Sequence, residues 1–282
     1  MSISLTESYQ YCGERVSNHY ENFPVASLLL PKHLRPPVSV VYAFARVADD
    51  FADEGDLSDQ ERLVALTEHR HKLQACARGE RVNDPVFVAL GDVIKQWNLP
   101  VILFDDLITA FEMDVTKKRF ANHGEVLHYC RYSANPVGRL LLHLFNEVSP
   151  DNLKLSDRIC SALQIINFLQ DIQQDFVENN RIYLPLVDMA RFSVTEQHLA
   201  NRISDDKMRA FIQSEIKRTR DLMLSGQPLG NRLKGRVGIE IRAVVQGGLR
   251  ILDKLENQKE DVFSRPRLGK IDWIIVMLRA LF

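Results

Sequence analysis

Two short stretches of the chain carry polar side chains at regular helical intervals within otherwise apolar patterns. The first set is spaced by four, three and four residues and consists of Tyr42, Arg46, Asp49 and Asp53. The second set is spaced by three, four and four residues and consists of Gln164, Asn167, Asp171 and Asp175. Because an α-helix turns by about 100° per residue, each set lies along one side of a helix.

Both polar sides are predicted to face away from bulk water, because apolar residues such as Phe44, Phe51 and Ile166 border them. Burying several carboxylates together is unfavourable unless cations balance their charge. Magnesium suits that role, since it is a hard ion that joins a few carboxylates to the phosphate of a substrate. The two stretches therefore predict a magnesium site for a diphosphate, whose departure as an anion leaves a carbocation.

The sequence also contains the other groups that this chemistry needs. Arg46 is a candidate for holding the diphosphate. Aromatic faces stabilise cations, and the candidates for that role are Phe23, Tyr42, Tyr129 and Tyr132. Asp50 lies about 100° from Asp49 around the helix, so it is a secondary candidate as a metal ligand.

The same acidic residues also have a purely structural interpretation. A single Asp-x-x-x-Asp pair on a helix usually belongs to a solvated face. Asp205-Asp206 lies at a predicted helix start, where negative charge favours the helix dipole. Asp114 either edges the site or only ends a helix, and His69 is expected to be solvated on a charged helix. A structural helical protein with solvated acidic faces therefore stays open as an alternative.

The overall composition is that of an ordinary globular protein. Of 282 residues, 45% are hydrophobic and 26% are charged, with a net charge of −1, so the charge excess of a nucleic-acid binder is absent. The scattered cysteines favour neither a zinc site nor a disulfide framework. No apolar run approaches the roughly 20 residues that span a bilayer, and the first residues do not resemble a secretory signal. We expect a cytoplasmic protein.

The apolar pattern is helical almost throughout and predicts one all-α domain over residues 1–282. Capping signals at Ser58, Asp84 and Asn122 mark helix starts. The second stretch is predicted on one helix from about residue 156 to 178, followed by a short connector over residues 181–185. One segment after Asn122 is predicted to be kinked at Pro136. The apolar last helix, residues 271–282, fits either a core position or a membrane surface.

Two further segments complete a recognisable set of motifs. They are Tyr129-Cys-Arg-Tyr132-Ser-Ala-Asn135-Pro-Val-Gly138 and Arg181-Ile-Tyr183-Leu-Pro185. Together with residues 42–53 and 167–175, they resemble the squalene and phytoene synthases, a family of head-to-head isoprenyl diphosphate synthases. The resemblance implies the isoprenoid synthase fold, an antiparallel helical bundle around a central cavity. It also implies a prenyl diphosphate substrate and Mg²⁺.

The resemblance also implies roles for individual residues. The metal ligands are Asp49, Asp50, Asp53, Asp171 and Asp175. The residues implied to contact diphosphate or metal-bound water are Arg46, His19, Tyr42, Gln164 and Asn167. Phe23 lines the pocket, Tyr132 stabilises the cation or orients water, and Arg181 guards the second motif. Arg265 or Arg267 reaches the diphosphate.

Within the family, residues 19–31 are most similar to bacterial hydroxysqualene synthases of hopanoid biosynthesis. This implies ionisation of presqualene diphosphate and capture of water, as a lyase or transferase acting between a presqualene diphosphate synthase and a hydroxysqualene reductase. NADPH is not expected, since no Gly-x-Gly-x-x-Gly stretch is present. Asn135, where relatives have a different turn, is a candidate for placing the water.

Two alternatives to that activity stay open. One is a complete squalene, presqualene diphosphate or phytoene synthase, which condenses two prenyl diphosphates such as farnesyl diphosphate. The other is a non-catalytic relative that acts as an assembly factor, which would be expected to lose the aspartates. A water-insoluble product would favour a peripheral contact with a membrane.

Overall fold

The computed structural model describes residues 3–17, 30–258 and 260–281. Within these ranges the chain is all-α apart from two short strands, which confirms the predicted fold class. The chain forms two compact units. Unit 1 comprises Met1–Thr116 with Pro136–Leu153, and unit 2 comprises Lys117–Asn135 with Lys154–Phe282. One domain over residues 1–282 stays a prediction.

The first part of unit 1 contains five helices in the described residues. They are α1 (Leu5–Ser17), α2 (Arg35–Asp53), α3 (Asp59–Ala77), α4 (Pro85–Trp97) and α5 (Val101–Thr116), with a 3-10 turn at Lys32–Leu34. The Ser58 side chain accepts a hydrogen bond from the Glu61 amide in a capping box, as predicted. Asp84 caps α4 in the same way, by accepting from the Val86 amide.

Phe44 on α2 lies at the centre of the unit 1 core. Its ring meets Phe104 edge-on at 5.2 Å and Phe87 edge-on at 5.9 Å between centroids. Ala48 and Ala52 are buried on the same side of α2. Burying a phenylalanine stabilises a fold by roughly 1.5–3 kcal/mol, and edge-on aromatic pairs add to this. This packing fixes the rotation of α2 and so decides where its acidic residues lie.

The remaining elements follow in chain order, and two of them are strands. The helices are α6 (His123–Ser133), α7 (Asn135–Leu144), α8 (Pro150–Gln170), α9 (Ile172–Asn179), α10 (Leu186–Arg191), α11 (Glu196–Ala200), α12 (Asp206–Gly226), α13 (Leu229–Arg232), α14 (Gly235–Glu256) and α15 (Lys270–Leu281). The strands β1 (Arg119–Phe120) and β2 (Ile182–Pro185) pair in parallel.

The predicted connector over residues 181–185 was wrong, because most of it is β2. All four residues of this strand are buried, and the Ile182 amide donates to the Lys118 carbonyl at 2.9 Å. A strand buried on both faces has no alternation of polar and apolar residues, so its sequence offers no period-two signal.

The prediction of one helix over residues 156–178 was also wrong. Helix α8 begins at Pro150, with the Ser149 hydroxyl accepting from the Asn152 amide at 3.2 Å. Serine followed by proline is a favourable helix start, and this signal lies before the predicted boundary. The helix ends at Gln170, and α9 begins at Ile172.

The predicted kinked segment after Asn122 is instead two helices. Helix α6 ends at Ser133, and α7 begins at Asn135 with Pro136 in its first turn. Proline has no amide hydrogen to donate, so the first turn of a helix tolerates it where a helix interior does not.

Helix α15 has a buried side and an opposite, apolar side that is exposed. Asp272, Val276 and Ala280 face inward at intervals of four residues. Ile271, Ile274, Leu278 and Leu281 are each more than half exposed. None of the described helices is both long and apolar enough to cross a bilayer. A core position therefore accounts for only one side of α15.

Candidate active site

The first acidic motif surrounds Arg46 on α2 in unit 1. The guanidinium lies 3.0 Å from Asp49, 2.7 Å from Asp50 and 2.5 Å from Glu54. Asp49 and Asp50 follow Arg46 by three and four residues on the same helix, and Glu54 directly follows the end of that helix. Arg15 on α1 contacts the second oxygen of Asp50 at 2.9 Å. Asp50 is therefore neutralised by two arginines.

Asp49 carries less compensating charge than Asp50. Burial and the neighbouring Asp53 raise its pKa to about 7, against the lowering effect of Arg46, and Asp114 raises it further. Asp114 on α5 is itself 6% exposed. A carboxyl group with this pKa is only partly ionised at neutral pH, so a divalent cation would be stabilised beside it. The oxygen-only donor set fits magnesium.

The other predicted residues of unit 1 have mixed surroundings. Asp53 is the last residue of α2 and is exposed, whereas Tyr42, Arg46 and Asp49 are half-buried. The expectation that the whole polar side faces away from water therefore holds for the middle of α2 and not for its end.

His69 lies beneath this motif, and its expected solvation was wrong. The ring is 2% exposed and lies 4.6 Å from the Phe44 ring and 4.8 Å from the Phe87 ring. Burial lowers its pKa to about 4. The sequence did not indicate the burial of His69, because a single inward-facing residue does not change the polar pattern of α3.

Arg70 was not predicted to have a role, although it holds α5 against α3. Its guanidinium donates to Asp105 at 2.7 Å, to Thr109 at 3.1 Å and to Glu112. These acceptors lie on one side of α5 at intervals of four and three residues. The cluster therefore fixes the rotation of the helix that carries Asp114.

The second acidic motif lies at the junction of α8 and α9 in unit 2. Asp171 stands between the helices with φ −108° and ψ 15°. Its amide donates to the Asn167 carbonyl at 2.9 Å, and the Asp175 amide donates to the Asp171 carbonyl at 2.8 Å. Helical spacing of Asn167, Asp171 and Asp175 therefore persists across the break, which is why the sequence pattern remained regular.

Asp171 is held by an arginine that is distant in the sequence. Arg265 contacts its two carboxylate oxygens at 2.5 and 3.1 Å. Burial raises the pKa of Asp171, while Arg265 and then Arg267 lower it, and the net direction is upward. A two-pronged arginine contact is among the stronger charge-assisted interactions in proteins. The sequence spacing alone gave no sign of this pairing.

The remaining polar residues of the second motif lie close by along the chain. Gln164, Asn167 and Asp175 are half-buried. Arg181 is buried, and its amide donates to the Asp175 carbonyl at 2.9 Å. This bond turns the chain from α9 into β2, which fits the predicted position of Arg181 beside the motif. Its guarding role stays a prediction.

Aromatic rings pack beside the second motif within unit 2. Phe168 stacks on Tyr183 with centroids 3.9 Å apart, and Tyr129 and Phe120 lie 5.4 and 5.3 Å from the Tyr183 ring. Phe168 directly follows Asn167 in the chain. These rings form a buried, electron-rich cluster next to predicted diphosphate contacts.

Tyr132 and Asn135 contact residues outside that ring cluster. Tyr132 is half-buried, with Arg131 at 5.6 Å and His128 at 5.2 Å from its ring. Asn135 is buried, and its side-chain oxygen accepts from the Ser161 hydroxyl at 2.9 Å. This bond attaches Asn135 to α8, and its predicted role in placing water stays a prediction.

The roles predicted for three further site residues, namely two diphosphate contacts and one residue lining the pocket, stay predictions. His19 and Phe23 lie outside the described residues. Arg267 is exposed, and its carbonyl accepts from Lys254 at 2.9 Å.

The described residues do not build a closed metal cage. In residues 3–17, 30–258 and 260–281, no three His, Cys, Asp or Glu side chains gather closely enough to hold an ion. Magnesium in phosphate-handling proteins is often bound by one or two carboxylates together with a substrate phosphate. Both motifs therefore fit a metal that binds with the diphosphate.

Comparison with known proteins identifies related sequences over nearly the whole chain. The squalene/phytoene synthase family matches residues 16–272. A hydroxysqualene synthase of Rhodopseudomonas palustris is 34% identical, covering 93% of this chain and 88% of the relative. A 15-cis-phytoene synthase of Synechococcus elongatus is 28% identical, covering 98% and 94%.

Solved structures agree with the all-α architecture. The crystal structure of a squalene synthase from Alicyclobacillus acidocaldarius superimposes with a TM-score of 0.84 at 35% identity. The match covers 91% of this chain and 96% of that structure. The predicted isoprenoid synthase fold is therefore confirmed.

Proposed function

Because the chain belongs to the squalene/phytoene synthase family, we propose that it is a hydroxysqualene synthase acting on presqualene diphosphate. The family acts on prenyl diphosphates and in general uses a divalent metal to ionise them. The chain is accordingly a prenyl-diphosphate-utilising synthase. The particular substrate and product are the parts that we add.

One observation carries the proposed ionisation step, namely the surroundings of Asp49. Burial and the neighbouring carboxylates of Asp53 and Asp114 raise the pKa of this residue to about 7. A carboxyl group in these surroundings favours the binding of a nearby cation, and a bound cation would attract the diphosphate. The proposed product is supported by the hydroxysqualene synthase of R. palustris, 34% identical over 93% of this chain.

The proposed metal ligands are Asp49, Asp53, Asp171 and Asp175. A bound magnesium ion supplies charge neutralisation that lets the diphosphate depart as an anion. Arg46 and Tyr42 are proposed to hold the diphosphate from α2. Gln164 and Asn167 have that role on α8. Asp50 is assigned chiefly to neutralising Arg15 and Arg46, which it contacts at 2.9 and 2.7 Å.

The proposed reaction balances without a redox partner. The carbon–oxygen bond of presqualene diphosphate breaks, and its electron pair leaves with the diphosphate. The resulting cation rearranges and accepts an electron pair from water, which then loses a proton. The apolar rings of Tyr129, Phe168 and Tyr183 are proposed to shield the cation and limit early water attack. Tyr132 and Asn135 are proposed to orient the water that finally adds.

The deciding experiment compares two substrates. The purified enzyme with Mg²⁺ is incubated with presqualene diphosphate or with farnesyl diphosphate, each with and without NADPH. We expect hydroxysqualene from presqualene diphosphate, unaffected by NADPH, and no triterpenoid from farnesyl diphosphate. Squalene formed only with NADPH, or condensation of farnesyl diphosphate, would instead identify a complete synthase.

A second candidate activity is the condensation of two prenyl diphosphates. It is favoured by the phytoene synthase of S. elongatus, which is 28% identical over 98% of this chain. Formation of phytoene from a longer prenyl diphosphate would establish this activity in the same assay.

We also propose that the enzyme is cytoplasmic and binds membranes peripherally through α15. Its substrate would come from a presqualene diphosphate synthase, and its product would pass to a hydroxysqualene reductase. The exposed side chains of Ile271, Ile274 and Leu278 support the membrane contact. Co-sedimentation with lipid vesicles tests it, and an Ile274→Ser variant that sediments like the wild type would contradict it.

A further inference from the structure

A short segment in unit 2 lies across the junction that carries Asp171. This segment, residues 264–269 between α14 and α15, is called the strap. The Arg265 guanidinium contacts both carboxylate oxygens of Asp171, at 2.5 and 3.1 Å. The next residue, Pro266, accepts a hydrogen bond from the Gln170 side chain at 2.6 Å. The strap is therefore attached to the end of α8 at two consecutive residues.

The other end of the strap is anchored by Asp272 at the start of α15. One oxygen of Asp272 lies 2.7 Å from Arg250, and the other lies 2.6 Å from Lys254. The Gly269 amide donates to Asp272 at 2.8 Å. Lys254 also donates to the Arg267 carbonyl at 2.9 Å. This cluster, which we call the Asp272 anchor, joins α14, α15 and the strap.

The Asp272 anchor is built around a buried carboxylate that is ionised. Asp272 is 5% exposed, which alone would raise its pKa, but bonds from Lys254, Gly269 and Arg250 hold the pKa at about 2. A buried carboxylate that lost these partners would be strongly destabilised. The anchor therefore fixes the position of the strap, and through it the position of Arg265.

Arg265 and a magnesium ion would compete for the same oxygens of Asp171. Both are cations, and both need the carboxylate in its ionised form. A guanidinium that leaves the carboxylate is free to pair with a diphosphate, for which arginine has matching geometry. The strap thus places Arg265, an exchangeable cation, beside the second motif, with Arg267 close enough to act on Asp171 as well.

We propose that the strap is a gate on the second acidic motif, in which Arg265 neutralises Asp171 until metal and diphosphate bind and then moves to the diphosphate. Three positioning residues, Asp272, Arg250 and Lys254, hold the strap at the place where Arg265 can exchange between Asp171 and the diphosphate. The inference relies on the proposed function only for the assignment of Asp171 as a metal ligand. It does not depend on which product is formed.

The test measures Mn²⁺ binding to the whole enzyme by titration calorimetry, with and without inorganic pyrophosphate. Arg265→Gln removes the competing cation, so Mn²⁺ alone is expected to bind roughly tenfold more tightly than to the wild type, as for a loss of about 1.4 kcal/mol of competition. With pyrophosphate present, the advantage is expected to disappear or reverse, because the variant lacks the released arginine.

A matched control and a second variant separate gating from general damage. Arg78→Gln removes an arginine from an exposed ion pair with Glu80 in unit 1 and should leave Mn²⁺ binding unchanged. Asp272→Asn should accelerate amide hydrogen exchange in residues 264–269 and tighten Mn²⁺ binding by a smaller factor. Arg265→Lys should restore part of the wild-type behaviour.

Three results from the variants would overturn the proposed gate. They are an Arg265→Gln variant that binds Mn²⁺ like the wild type, an advantage that is the same with and without pyrophosphate, and an Asp272→Asn variant with unchanged exchange in the strap. Absence of Mn²⁺ binding in every protein would also overturn it, because Asp171 would then not be a metal ligand. Failure of the hydroxysqualene assignment alone would leave these binding results unaffected.

Discussion

The two acidic motifs balance their negative charge in different ways. In unit 1, Arg46 contacts Asp49 and Asp50, three and four residues further along the same helix. In unit 2, Asp171 is paired with Arg265, 94 residues away in the sequence. The first motif is thus organised by helical periodicity, and the second by the tertiary structure. The first motif has its arginine on the same helix, whereas the second motif is paired with an arginine from the strap.

The largest expected effect tests whether both motifs are needed. Asp53→Asn and Asp171→Asn should each lower turnover of presqualene diphosphate by at least about a thousandfold, because each removes a carboxylate that is proposed to hold the metal ion stabilising the departing diphosphate. Steady-state product assays measure the loss, and circular dichroism should show unchanged helix content. Near-normal turnover in one variant would mean that only the other motif takes part.

A second test concerns the packing that orients the first motif. Phe44→Ala should lower the free energy of unfolding by about 3–5 kcal/mol, because the ring contacts three other rings in the core of unit 1. Phe44→Leu keeps much of the volume and should cost less. Urea unfolding measures both variants, and equal losses would show that packing around Phe44 is not specific.

Two buried groups, one in each unit, are expected to make the free energy of unfolding depend on pH in opposite directions. In unit 1, burial lowers the pKa of His69 to about 4. The unfolded chain therefore takes up a proton as pH falls through about 6.5, while the folded state stays neutral until about pH 4. Stability from this residue falls across that window by roughly 3 kcal/mol.

The matching measurement is the free energy of unfolding of His69→Gln and wild type at pH 5 and pH 7. The variant should lose less stability than the wild type between pH 7 and pH 5, since glutamine does not titrate. Parallel pH profiles for the two proteins would contradict burial of a neutral His69.

In unit 2, Glu215 should have the opposite effect. Burial raises its pKa to about 7, although Arg218 lies 3.3 Å away and opposes the shift. The folded state therefore holds a proton that the unfolded chain releases above about pH 4.5, so stability falls as pH rises from about 4.5 to 7. The loss amounts to roughly 3 kcal/mol.

Glu215→Gln keeps the shape of the protonated side chain and cannot ionise. Its free energy of unfolding relative to the wild type should therefore increase between pH 5 and pH 7. A constant difference across that range would show that Glu215 is ionised in the folded protein.

The sequence was most informative where chemistry follows local periodicity. Spacing placed Asp49 beside Arg46, and capping signals located the starts of α3 and α4. It was least informative where the decisive contact is distant in the chain, as for Arg265 with Asp171. The break at Asp171 has no signal in the sequence, because backbone hydrogen bonds across it preserve the helical spacing. His69 was misplaced because one buried residue does not change the character of a polar helix.

The most direct test of the account is a single turnover of presqualene diphosphate in water labelled with ¹⁸O. Ionisation of the carbon–oxygen bond followed by water capture predicts one ¹⁸O atom in hydroxysqualene and none in the diphosphate released. Mass spectrometry of both products measures the label. Label in the diphosphate with an unlabelled alcohol would indicate attack of water on phosphorus, and would contradict a site built to ionise carbon.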